Sequence, residues 1–190
     1  NMWSMMDEKL NKQEILNKSL VKEILQTKGN KSLNRLFLYE ILGFSVCLLL
    51  IPFILYCLKT YEVAYIIGKV TLYLTFAFCI VYCLWGILKM SELFKVDFSK
   101  DIANNIYHIS KYDIRMKYEK TGMYIFIPVL FLLSIVLYIQ SNIDIEQFIF
   151  MIVIFLLATS ISIWSYKKTY PELISSIKDS LDKINELKED

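Results

Sequence analysis

The chain has 190 residues, 56% of them hydrophobic, with 21 Lys/Arg against 19 Asp/Glu, a net charge of +2 and one histidine. The net charge by itself says little, and a single histidine excludes a histidine-rich metal centre. Five scattered glycines leave no glycine-rich phosphate loop.

Residues 3–28 read as a helix with a broad apolar stripe, formed by Trp3, Met6, Leu10, Ile15, Leu16, Leu20, Ile24 and Leu25. Lys9, Lys12, Lys18 and Lys22 occupy the other faces. Such a stripe suits either the anionic inner leaflet, where each basic residue contributes about 1 kcal/mol, or a protein partner docked on apolar anchors. Gly29–Asn30 is expected to cap the helix and act as a hinge before the membrane.

Four apolar runs follow: Leu36–Leu58, Ile66–Leu88, Met123–Ile139 and Phe148–Trp164. A hydrocarbon core of roughly 30 Å takes about 20 helical residues. The first two runs are long enough outright, and the last two reach that length with flanking residues. A soluble fold would have too little polar sequence to cover four such helices. The expected fold class is all-α integral membrane, with four transmembrane helices as two hairpins and amphipathic helices on the cytoplasmic side. The segments are 1–35 (cytoplasmic helix), 36–88 (first hairpin), 89–122 (cytoplasmic helical loop), 123–166 (second hairpin) and 167–190 (C-terminal helix).

Charge placement sets the orientation. In the four-span arrangement, 19 of the 21 basic residues fall on one side and only Lys59 and Lys69 on the other. Basic loops are retained in the cytoplasm. Both termini and the middle loop are therefore expected there, in a bacterial inner membrane. Within 89–122, Asp97–Ser99 is expected to cap a helix that runs on into the third span. A last helix is expected from Pro171, with Ile174, Ile177, Leu181, Ile184 and Leu187 along one seam, packed within the chain.

Cys47, Cys57, Cys79 and Cys83 all fall in the first two spans and read as small apolar filler. Glu40 is expected to snorkel to the cytoplasmic surface. Neither a catalytic constellation nor a metal or cofactor site is visible, so an enzyme is not expected. His108, Asp113 and Arg115 lie near the interface without a nucleophile motif beside them.

The runs Trp3-Ser-Met-Met-Asp-Glu-Lys-Leu10, Leu16-Asn-Lys-Ser-Leu20, Lys31-Ser-Leu-Asn-Arg-Leu36 and Val96-Asp-Phe-Ser-Lys100 carry a resemblance. Over roughly residues 1–115 the chain resembles small multi-span membrane proteins of the Bacteroidota encoded beside extracytoplasmic-function sigma factors. The resemblance implies a regulatory role, in which cytoplasmic helices hold a sigma factor or related cytosolic protein away from RNA polymerase. The expected partner-binding residues are Trp3, Leu10, Leu16, Leu20 and Ile24. The lipid bilayer and a second copy of the chain are the other partners considered, with no direct nucleic-acid contact. The alternative reading is an oligomeric channel or transporter accessory subunit.

Overall fold

The computed structural model describes residues 2–60, 66–140 and 145–189; the side chains of 2–5, 7, 11, 60, 137, 140, 147, 151, 188 and 189 lie outside that description. All regular structure among the described residues is helical. The helices are α1 (Met2–Thr60), α2 (Ile66–Leu93), α3 (Ile102–Gln140), α4 (Ile145–Trp164) and α5 (Tyr170–Glu189). Among the described residues, four helical segments are long and apolar enough to cross a membrane.

The most apolar segments are the least buried ones. Leu49 is 70% exposed and Phe150 68%, and almost nothing in the four apolar stretches is enclosed by protein. The enclosed core lies instead among the polar segments. There Leu33 and Leu36 of α1 meet Leu93, Val96 and Phe98, the α3 residues Ile102, Ile109, Tyr112 and Met116, and Leu173, Ile174, Ile177, Leu181 and Ile184 of α5. Helix α5 packs on α1 and α3, while α2 lies against both α1 and α3. A protein that encloses apolar residues of its polar segments and exposes its greasiest helices has the burial pattern of a chain solvated by lipid.

Within the apolar stretches Ile54 and Cys79 are buried, and aromatic rings stack between helices. Phe78 of α2 stacks on Phe126 of α3 at 3.7 Å between ring centroids, and Tyr138 of α3 on Phe148 of α4 at 3.8 Å. The hydroxyls of Thr71, Thr75, Ser134 and Thr159 each donate to a carbonyl one turn back. These polar groups are thus satisfied inside their own helices, as an apolar solvent requires.

Three local expectations are corrected. Gly29 is no hinge: α1 runs unbroken through it, and no glycine among the described residues takes a positive φ. Its role is steric. A Cβ at Gly29 would sit 2.3 Å from two ring atoms of Phe98, so glycine leaves the slot that the Phe98 ring fills. Gln26 closes the same contact by donating to the Phe98 carbonyl at 3.0 Å. Gly29→Ala should gain about 1 kcal/mol of helix propensity but expel that ring at a cost of roughly 2–3 kcal/mol. The expected result is a net loss, read as a lower melting temperature in detergent; a higher one would contradict the packing.

The cap of α3 also differs. Asp101, rather than Asp97–Ser99, accepts from the Asn104 backbone N–H at 3.3 Å. Asp97 instead folds a turn, accepting from the Ser99 N–H at 3.0 Å and hydroxyl at 2.6 Å. Those bonds from Ser99, with Lys100 nearby, hold the Asp97 carboxyl below the usual carboxylate range. Asn105, itself buried, clamps the turn through both backbone groups of Asp97. Finally, α5 does not start afresh at Pro171. A π-turn, Ser165–Thr169, joins it to α4, and the Tyr170 N–H reaches back to the Ser165 carbonyl. Pro171 has no N–H to give, and the widened turn carries the chain past it without a break.

Candidate functional site

Two regions stand out, one expected from the sequence and one not. The expected region is the amino-terminal part of α1. Leu10, Leu16, Leu20 and Ile24 are 60%, 61%, 49% and 66% exposed, so the apolar stripe is not consumed by the chain's own core. The side chain of Trp3 lies outside the described residues. Only from Leu25 onward does α1 enter the bundle. The polar positions of the stripe's other faces pair locally, with Lys12 on Glu8 at 2.7 Å and Lys18 on Glu14 at 3.5 Å, all exposed but the half-buried Lys18. Such i,i+4 pairs support the helix by a few tenths of a kcal/mol each, about 0.2–0.5. They keep the stripe helical without covering it. The carboxy-terminal stripe behaves differently. Ile174, Ile177, Leu181 and Ile184 are all buried in the core, so that helix has spent its apolar face internally.

The second region is a buried ionic cluster where the bundle meets the apolar stretches. Glu40 of α1 does not snorkel; it is 3% exposed. Lys89 of α2 places its Nζ 3.0 Å from Glu40 Oε1 and 2.8 Å from Oε2, and it also contacts the Glu119 carboxylate of α3. Tyr112 donates to Glu40 at 2.7 Å, and Tyr166, on the π-turn, donates to Glu119. The Met116 sulfur stands 3.6 Å from the ammonium, and the Tyr82 ring lies 5.7 Å away. One ammonium therefore ties two carboxylates from different helices, and each carboxylate accepts one further bond from a tyrosine. Tyr82 is itself seated against Gly43, where a Cβ would come within 2.8 Å of its hydroxyl oxygen.

One turn further along α2, Glu92 gathers a second group. His108 Nδ1 lies 2.8 Å from it, Arg115 3.1 Å, Lys111 3.2 Å and Lys95 3.9 Å. Arg115 also donates to the Leu88 carbonyl. Read antiparallel, α2 presents a cation then an anion, and α3 presents the complementary order. The pairing fixes the register of α2 on α3. The residues near the interface are absorbed by it: His108 and Arg115 serve Glu92, and Asp113 is held by Lys117 at 3.2 Å and Lys178 at 3.4 Å. Among the described residues no three His, Cys, Asp or Glu side chains converge as metal ligands would, and the four cysteines are free thiols.

The sequence does carry a signal for this cluster. Glu40 falls four residues into the first apolar run, Lys89 one residue after the second, and Glu119 four before the third. Three ionisable residues thus stand within about one helical turn of the run ends that face the same side in the four-span arrangement. No protein-family model, curated protein or solved structure matches the chain. What the described residues define is an all-helical protein with four helices suited to a bilayer and a polar bundle at one end of them.

Proposed function

We propose that this protein is a membrane-anchored docking protein, inserted as two helical hairpins in a bacterial inner membrane with both termini in the cytoplasm, and that the amino-terminal part of α1 recruits a soluble protein. The placement of 19 of 21 basic residues on one side of the four-span arrangement supports the orientation. The observation that carries the docking reading is the continuity of α1. Because the helix passes unbroken through Gly29, the exposed stripe of Leu10, Leu16, Leu20 and Ile24 continues along the direction of the first span. It is held off the membrane rather than laid on it. A helix bound to the leaflet would have to turn at the interface, and α1 has no joint there.

The resemblance noted above suggests a sigma factor as the recruited protein, held away from RNA polymerase. The stripe has the chemistry for a partner with an apolar groove: branched aliphatic anchors flanked by charges of both signs. Truncating a central anchor of such an interface costs about 2 kcal/mol, or roughly 30-fold in affinity. Affinity purification of detergent-solubilised wild-type protein should therefore retain a soluble partner that the Leu16→Ala/Leu20→Ala variant loses, with membrane insertion unchanged. If removing residues 1–28 leaves every co-purifying protein in place, the docking reading fails.

A further inference from the structure

The stripe has a finer order than an apolar patch needs. Numbered as heptads, Leu10, Asn17 and Ile24 take a positions, and Met6, Gln13, Leu20 and Thr27 take d positions. All seven are exposed. The face that α1 turns toward its own bundle is a different one. Leu25, Gly29, Ser32, Leu33, Leu36 and Glu40 all occupy b, c or f positions, opposite the a/d seam. A second helix can lie along the seam without displacing anything.

We infer that the occupant of this seam is a second copy of the same chain, forming a parallel, in-register two-stranded coiled coil over residues 6–27. Three observations point to it. The first is Asn17, one polar residue at a central a position, the device that selects two parallel strands in a single register. The second is charge complementarity. In a parallel pair each g residue faces the e residue five positions on in its partner, which sets Lys9 against Glu14 and Glu23 against Lys28. All of these crossings join opposite charges. Leu16 meets Val21 at the third g–e crossing, adding apolar contact to the middle heptad. Glu14 now leans on Lys18 at 3.5 Å and Lys28 on Asp179 at 3.7 Å, both loose and largely solvent-facing contacts that can be exchanged. The third is geometry. Copies anchored in one membrane with one orientation present α1 in the same direction, so a parallel pairing is the one available.

Gln13 and Thr27 weaken the seam, and three heptads are short for an isolated peptide. Anchoring compensates on two counts. The helix is already formed as the continuation of a longer one, so pairing does not have to nucleate it. Confinement of both copies to one membrane also raises their effective concentration. Lys31, at the next a position, ends the seam on the membrane side.

Self-pairing goes beyond the docking reading and would compete with it, since Leu10, Leu16, Leu20 and Ile24 serve both. The test therefore uses the full-length protein purified in lipid nanodiscs or proteoliposomes with no soluble protein present. Gln13→Cys puts a thiol at the seam and Lys22→Cys puts one at an outward f position. A disulfide needs Cα atoms within about 7 Å, so oxidation should yield covalent dimer from Q13C and only the wild-type background from K22C. Lys9→Glu sets acids against acids at two crossings and should reduce the Q13C cross-link several-fold, and adding Glu14→Lys should restore it. Equal cross-linking of Q13C and K22C, or no recovery in the charge-swapped variant, overturns the coiled coil. That result would leave recruitment of a soluble protein standing, because recruitment is read by co-purification.

Discussion

Lys89→Met should be the most damaging single substitution in the chain. It leaves the Glu40 and Glu119 carboxylates enclosed without their cation, at the point where α1, α2 and α3 converge. Removing one partner of a buried ion pair costs about 3–5 kcal/mol, because the remaining charge is stranded away from water. The expected readout is a large fall in the melting temperature of the detergent-purified protein, together with loss of a monodisperse peak on gel filtration. The converse is equally informative. Replacing the whole cluster by uncharged side chains of similar shape is often neutral, so Glu40→Gln/Lys89→Met/Glu119→Gln should recover most of what the single change loses. A K89M protein that melts like wild type would mean that the three groups do not meet.

The second large effect concerns α5. Leu181 is fully buried in the core that α5 shares with α1 and α3, together with Ile177 and Ile184. Leu181→Ala removes a side chain that the surrounding helices cannot fully replace, at about 2–5 kcal/mol. Twenty residues of mostly polar helix have little stability of their own, so the loss should appear as detachment of α5 rather than as collapse of the spans. Trypsin should then cut faster at Lys178 and Lys183 than it does in the wild type. Glu186→Ala, on the exposed face of the same helix, serves as the control and should leave the cleavage pattern unchanged. Protection of L181A equal to wild type would show that α5 is held by something other than this core.

The two effects separate what was legible in the sequence from what was not. The four apolar helices follow from run length alone, and the seam of Ile174, Ile177, Leu181 and Ile184 follows from its spacing; both are local properties. The unbroken path of α1 does not. Beside Gly29 the sequence reads as a helix end, and what overrides it is a phenylalanine 69 positions away that needs the space glycine leaves. Glu40 misleads for the same reason. Near the end of an apolar run a carboxylate can reach water, and only the approach of Lys89 from another helix makes it a buried partner. The Glu92 group was hidden by a convention, in which charges following an apolar run are assigned to a loop. Here α2 continues through Leu93 and carries them into the bundle. The amino-terminal stripe of α1 is legible as residues, and its exposure follows from the other two amphipathic segments packing together without it.

The unbroken course of α1 has a mechanical consequence. In the proposed orientation, its first 28 residues extend about 40 Å beyond the inner face of the membrane at 1.5 Å per residue. They form a lever whose short arm lies in the lipid. Transmembrane helices tilt in response to bilayer thickness, and a change of about 10° would carry the far end through roughly 7 Å at that reach. Such a displacement approaches the 8–10 Å separation of packed helices, enough to open or close a seam between two such levers. The physical state of the membrane would thereby reach the cytoplasm as motion, with no extracytoplasmic domain needed to receive it.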